Sequence, residues 1–342
     1  MMRRWLALAA LLLLTACGKQ PLYQEQAYVF GTIVDVSIYG EDEAKAKQGV
    51  AAVLAEFQRL HDLLHAWQPS ELSRLNSAIA QGKSYRIPGE VTAMLQDASA
   101  YAQRSGGTFN PAIGRLIALW GFHDDTFKAV LPAEKKIAAL LKQHPQMSDL
   151  SFDGDTVRSR NRAVQLDLGG YAKGYALDRA AAILRAQGIR NALINIGGNV
   201  MALGTHGARP WRIGIQHPRR SGALATLALH DGEAVGTSGD YQRYFELDGK
   251  RYCHLIDPRS GWPVQGVQAV TVLTHGTQAG LRSDVTSKPL FIAGVGGWRQ
   301  AARAMQLEDA LLIDDQGRVH LSGDMQKRLE FTDDKTVVIV EP

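Results

Sequence analysis

Disulfide chemistry is almost missing from this chain: two of its 342 residues are cysteine, Cys17 and Cys253. Cys17 ends an apolar leader; if it is acylated, Cys253 is the one thiol left and no intramolecular bridge can staple the fold. Stability has to come from burial, and a 45% hydrophobic composition gives material for one large domain or two coupled lobes. A charge excess is missing too. The 38 Lys and Arg nearly balance 34 Asp and Glu, and the net +4 shrinks when Arg3 and Arg4 leave with the leader. No basic stripe of the kind nucleic acid requires is present. There is no internal repeat and no long low-complexity segment, which excludes a solenoid or an extended disordered array. The apolar run from Trp5 to Leu14 is too short for a permanent membrane helix.

What is present begins around that run. Met1-Met2-Arg3-Arg4 is a basic flank and Leu14-Thr15-Ala16-Cys17 a small-residue cleavage site, so residues 1–16 are expected to be an export signal. Cysteine directly after Leu-Thr-Ala resembles a bacterial lipobox, which implies acylation of Cys17. The expected organisation is a signal peptide at 1–16, lipidated Cys17 with a polar tether at 17–26, and one domain over 27–342. The expected location is the periplasm, with a lipid anchor in the inner or outer membrane of a Gram-negative bacterium.

The β-branched alternation of Tyr28–Tyr39 predicts a first strand. Val50, Val53, Leu54, Phe57, Leu60 and Leu64 recur at spacings of three and four, one face of a helix. Pro88, Pro111 and Pro132 each suit a helix start. Short strands follow from Leu150 to Leu166, with a hairpin at Asp153-Gly154, then a helix to about Gln187. The chain reads as mostly β from Asn191 to Thr274, with a second hairpin at Asp248-Gly249. Helices from about Gly276 and from Trp298 to Met305, and strands near Leu311 and Val337, complete an α+β fold with mainly antiparallel sheets.

Three clusters could carry chemistry. Cys253-His254-Leu255-Ile256-Asp257-Pro258-Arg259-Ser260-Gly261-Trp262-Pro263 puts an imidazole, a carboxylate and a cation in a rigid loop after a strand. Asp167-Leu168-Gly169-Gly170-Tyr171-Ala172-Lys173-Gly174 joins a strand to a helix. Its glycines admit a ligand to the backbone, and free N–H groups with Lys173 suit an anion; a glycine-rich turn with a solvated lysine is the alternative. Ser283, Asp284, Ser287 and Lys288 share a helix face and could offer hard oxygen ligands, or be a solvated face with a capping serine. Pro289 should disturb that helix. His61 and His65 at i and i+4 lack the glutamate of a zinc protease, and Ser238, His254 and Asp257 could in principle form a triad.

Taken together these segments resemble the ApbE family. Also matching are Phe30-Gly31-Thr32, Ser70 to Asn76, Phe109 to Gly114, Leu119 to Phe122, Ile194 to Asn199 and Thr237 to Phe245. The resemblance implies an ApbE-like, T-fold-related catalytic domain that moves FMN from FAD to a threonine or serine hydroxyl and releases AMP, assisted by Mg²⁺. It implies FAD contacts from Phe30, Trp67, Gly107, Thr108, Phe109, Asp167, Lys173 and Ile256. Metal ligands fall at the Gly170 carbonyl, Asp284, Ser287 and the Lys288 position, where the family typically has threonine; an ammonium cannot ligate a cation. Lys288 could turn aside, Thr286 could substitute, or the lysine could itself supply charge toward the diphosphate. His254 is the candidate base, with Lys173 and Asp257 beside it in the catalytic set. Implied partners are exported flavin-accepting proteins, such as subunits of Na⁺-pumping NADH:quinone oxidoreductase, the Rnf complex or NosR-like proteins. Such acceptors carry Asp-Gly-x-Ser/Thr-Gly/Ala-Thr/Ala, which this chain does not match in full. A periplasmic FAD-storage lipoprotein and a pyrophosphatase releasing FMN and AMP are the alternatives.

Overall fold

The computed structural model describes residues 21–124 and 126–341, so the expected signal peptide and Cys17 lie outside the described residues. Nine strands build the principal sheet: β1 (Leu22–Val29), β2 (Thr32–Tyr39), β3 (Ala192–Ile196), β4 (Asn199–Leu203), β5 (Ala234–Gly239), β6 (Val267–Thr274), β7 (Asp309–Asp314), β8 (Val319–Ser322) and β9 (Val338–Glu341). They lie side by side in chain order, antiparallel except for the final β8–β9 pair. The strand expected over Tyr28–Tyr39 is therefore a hairpin. Its turn, Phe30-Gly31, has positive φ at both residues (57° and 69°), the geometry whose twist matches a two-residue hairpin. The sheet starts at Leu22, so residues assigned to a tether are an edge strand whose alternating exposure and polar side chains suit an edge.

Seven helices are used below: α1 (Glu43–Leu64), α2 (Glu71–Gln81), α3 (Gly89–Arg104), α4 (Gly114–Leu119), α5 (Glu134–Gln143), α6 (Ala172–Ala186) and α7 (Ala279–Ala304). α2 is a helix the periodicity reading did not pick out. Ser70 and Ser73 cap it reciprocally, a serine at N3 doing what glutamate does in the commoner box. α1, α6 and α7 cover one face of the sheet. The other face packs on a three-stranded sheet of residues 211–216, 223–229 and 329–331. β4 shows the period-2 logic, with Met201 and Leu203 facing the helices and Val200 and Ala202 facing the second sheet. β6 is covered on both sides and is buried at every position. The hairpins at Asp153-Gly154 and Asp248-Gly249 form as expected.

Pro289 does not break α7. Helical backbone runs through it, and the interruption falls at Gly294 (φ 65°, ψ −174°). α7 instead seats unusually close to its neighbours. A Cβ on Gly174 would stand 2.5 Å from the Gly280 carbonyl oxygen and 2.6 Å from Asp284 Cβ, and one on Gly236 would stand 2.2 Å from the Ser283 carbonyl oxygen. Only glycine at those positions lets α6 and β5 approach the helix that carries Asp284.

Candidate active site

The β1–β2 turn, the end of α1, the strand-to-helix junction before α6, the end of β5 and the loop at 254–256 converge on one cavity of about 1330 Å³. That exceeds the range of about 300–1,000 Å³ usual for small-molecule sites, and it suits an extended dinucleotide. Phe30, Trp67, Thr108, Phe109, Asp167, Gly170, Lys173, His254, Ile256 and Lys288 all line it. Segments separated by most of the chain are thus brought to one place.

One wall is aromatic. Phe30 is held in left-handed backbone and meets Phe57 at 6.0 Å and His61 at 5.9 Å between ring centroids. A non-glycine residue at such φ stores strain of order 1–3 kcal/mol, typical of a ligand clamp. His61 and His65 stack edge to face at 5.1 Å, and His65 Nδ1 accepts the N–H groups of Trp67 and Gln68. These imidazoles shape the wall and order the segment after α1. Trp67 Nε1 donates to Asp167 Oδ2 at 3.2 Å, and Asp167 Oδ1 takes the Gly169 N–H at 2.7 Å. Burial raises the Asp167 carboxyl above its ordinary value despite those bonds.

The floor is cationic. Asp284, 1% exposed, accepts the Gly174 N–H on Oδ2 at 2.9 Å. The anion at the N-terminus of α6 is therefore the protein's own carboxylate, where free N–H groups were expected. Lys288 Nζ donates to the same carboxylate on Oδ1 and to the Asp284 carbonyl at 2.6 Å. Burial alone would raise the Asp284 carboxyl; Lys288 and Lys173, with hydrogen bonds from Lys288 and Gly174, hold it below its ordinary value. Burial lowers Lys173, opposed by Asp284 and assisted by Lys288 and Arg243. Thr286 donates to the Arg282 carbonyl at 2.7 Å, so it does not stand in for Lys288.

His254 is half-buried at the cavity edge. Its Nδ1 lies 3.2 Å from the Arg243 carbonyl, an acceptor, which places the proton on Nδ1 and leaves Nε2 a lone pair. Burial, then Arg243 and Lys173, lower its pKa to about 3. Arg243 was not singled out in the sequence, although it lies inside the quoted Thr237–Phe245 segment. It lines the cavity and donates to the carbonyls of Phe122 and Asp124 at 3.0 and 3.1 Å.

Three expected site residues sit elsewhere. Asp257 does not line the cavity: its carboxylate accepts the Arg259 N–H and guanidinium at 2.8–3.2 Å, fixing the loop. Gly107 is the second of two left-handed glycines after α3 and returns its N–H to Ala102, presenting Thr108 and Phe109 without touching the space. Ser287 lies behind the floor, its hydroxyl 2.9 Å from the Asp284 carbonyl and 2.8 Å from Ser238 Oγ. Ser238 is thus a buried strand residue paired to a serine, and no Ser238–His254–Asp257 triad forms.

Comparison with known proteins agrees with this geometry. The ApbE family model matches residues 30–312. A Rhodobacter capsulatus protein named FAD:protein FMN transferase is 43% identical over 96% of this chain, which spans 63% of that relative's length. One of the same name from Klebsiella pneumoniae is 34% identical over 91% of this chain and 94% of its own. The crystal structure of the ApbE protein of Thermotoga maritima superposes with a TM-score of 0.83 at 29% identity, covering 90% of this chain and 99% of that one. Sequence motifs, fold and cavity therefore meet in a single conclusion: this chain belongs to the ApbE family.

Proposed function

We propose that the chain is an FAD:protein FMN transferase. The observation that carries the reading is a cavity of about 1330 Å³ with an aromatic wall at Phe30 and Trp67 and an ammonium floor at Lys173 and Lys288. The wall offers stacking for flat rings and the floor offers charge to a diphosphate. A hydroxyl of the acceptor protein attacks the flavin-side phosphorus of FAD, a new P–O bond forms, the bond to the AMP oxygen breaks, and AMP leaves. Such transfer depends chiefly on positioning and charge neutralisation. Nε2 of His254 takes the hydroxyl proton, and the incoming diphosphate raises the basicity of an imidazole otherwise surrounded by cations.

The expected Mg²⁺ does not fit the donor set. A hard divalent ion needs several converging oxygens. Here both Asp284 oxygens are engaged, the Ser287 hydroxyl is bonded to Asp284 and Ser238, and an ammonium stands at the fourth position. No step is assigned to the metal. The leader and Cys17 support the further reading of a periplasmic lipoprotein acting on exported flavin-accepting subunits of electron-transfer complexes.

The test is mass spectrometry of an acceptor domain bearing Asp-Gly-x-Thr-Gly-Ala after incubation with this protein and FAD. An FMN adduct on the threonine, with one AMP per adduct, is expected. AMP and FMN released beside unmodified acceptor would make the protein a pyrophosphatase, and FAD bound without products would make it a carrier.

A further inference from the structure

The geometry points to Lys288 as a built-in cation that replaces a divalent metal at the floor of the cavity, so that transfer by this protein proceeds without Mg²⁺. The inference rests on the transferase reading and deepens it. One turn of α7 separates Asp284 from Lys288, and that turn folds the lysine back over its own helix. Nζ is held by the Asp284 carbonyl at 2.6 Å and by its carboxylate, a two-oxygen seat for a cation. The stem runs beside Gly170: a Cβ there would lie 3.0 Å from Lys288 Cε, a contact that the stem would have to relieve by a small shift. The Lys288 side chain keeps 16% exposure, and it lines the cavity while Asp284 beneath it keeps 1%.

The chemistry of that seat decides between a lysine and a metal. A divalent ion at Asp284 would stand against a fixed ammonium, and that like-charge repulsion doubles with the charge of the ion. The ammonium meanwhile has a third proton free to face the cavity after donating two to Asp284. A lysine is a point-charge partner for phosphate oxygens, and Lys173, on the same floor, supplies a second charge. The positive charge at this floor is thus fixed by the fold rather than recruited from solution.

The experiment uses the full chain, FAD and an acceptor domain, with excess EDTA or excess Mg²⁺, read as adduct per unit time, together with Mn²⁺ binding followed by EPR. Wild type is expected to transfer at rates within about twofold in the two conditions and to bind no stoichiometric Mn²⁺. Lys288→Thr, which offers a hydroxyl oxygen in place of the ammonium, is expected to lose on the order of 10²-fold in EDTA. It should recover in Mg²⁺ and gain one Mn²⁺ site. Lys288→Met, with no ligand atom of that kind, should stay slow in both conditions. Loss of wild-type activity in EDTA with restoration by Mg²⁺, or one tight Mn²⁺ per wild-type chain, would overturn the proposal. If wild type made no adduct in either condition, the transferase reading would fail, and Mn²⁺ binding would still judge the seat: none supports the proposal, one ion refutes it.

Discussion

Two aspartates in this molecule share burial and charge pairing but lie on different elements and face different surroundings. Asp284 and Asp314 are each 1% exposed, and each pairs with a basic residue four positions later, Lys288 and Arg318. In both, burial would raise the carboxyl and hydrogen-bonded cations bring it below its ordinary value. Asp314 closes a turn at the end of β7: it receives the N–H groups of Gln316 and Arg318 at 3.0 and 2.8 Å, Arg318 Nε at 2.6 Å and His320 Nε2 at 3.2 Å. Its cation spreads into solvent, with 42% of the Arg318 side chain exposed. Asp284 instead sits under the cavity, which its paired Lys288 lines. Spacing and burial are the same, and the difference lies in what the paired cation faces.

The most forceful way to break that comparison is to neutralise both carboxylates separately. Asp284→Asn leaves a largely buried ammonium without its partner, which costs about 3–5 kcal/mol of stability. Asp314→Asn should cost less, because the Arg318 side chain is 42% exposed and water takes over its charge. Asp284→Asn should also lower transfer by on the order of 10²–10³-fold, because Lys288 loses the carboxylate that fixes its ammonium at the cavity floor. Asp314→Asn should leave the rate of the folded fraction within about twofold. Thermal melts alongside adduct formation separate the two outcomes, and comparable activity losses would mean that Asp284 is merely structural. The sign with pH is common to both: their folded pKa values are lowered, so the stabilisation is present above the unfolded carboxyl value and is lost as pH falls through the folded one.

His254 sharpens the contrast from the base side. Its pKa is lowered to about 3 from an ordinary 6.5. The free enzyme should therefore show no acid limb near pH 6.5 in kcat/KM; that limb belongs below about pH 5. An inflection at 6.5 would contradict the burial argument. Over the same interval the unfolded chain binds a proton that the folded chain refuses, so stability falls as pH drops from 6.5 toward 3. His254→Asn should cost on the order of 10²-fold in kcat with FAD affinity kept, and near-normal turnover would end its assignment as base.

Much of this was legible in the chain because chemistry and backbone signals coincide in the same segments. The glycine-rich junction at 167–174 and the loop at 254–263 announced a site from composition, and the proline and Asp-Gly signals placed helices and hairpins. What could not be read depends on tertiary approach. Nothing local tells that Gly174 and Gly236 exist to seat α7, nor that the N-terminus of α6 is filled by a carboxylate 110 residues downstream. Asp257 and Arg243 show the same limit. The loop containing Asp257 reaches the cavity through His254, Leu255 and Ile256, but the Asp257 charge turns back on Arg259, while Arg243 reaches the cavity from a segment quoted for other residues.

A smaller effect is expected at the aromatic wall. Phe30→Gly relieves left-handed backbone worth about 1–2 kcal/mol while removing ring contacts with Phe57 and His61 of about 0.5–1.5 kcal/mol each. The two terms nearly cancel, so Tm should stay within a few degrees while KM for FAD rises severalfold. A large fall in Tm with unchanged KM would make Phe30 a packing residue rather than a ligand wall.

Asp257 gives the smallest expected effect and the finest control on the comparison. Like Asp284 and Asp314 it has a basic neighbour in sequence, but Arg259 is 61% exposed and the pair faces away from the cavity. Exposed pairs contribute about 0–1 kcal/mol, and the carboxylate's remaining task is to receive the Arg259 N–H in a turn that an asparagine carbonyl can equally hold. Asp257→Asn should therefore change Tm little and transfer by less than about threefold. A drop comparable with that of Asp284→Asn would mean that the loop carries its charge to the reacting hydroxyl when the acceptor protein docks, and that facing the cavity in the unliganded fold is not what separates a working carboxylate from a structural one.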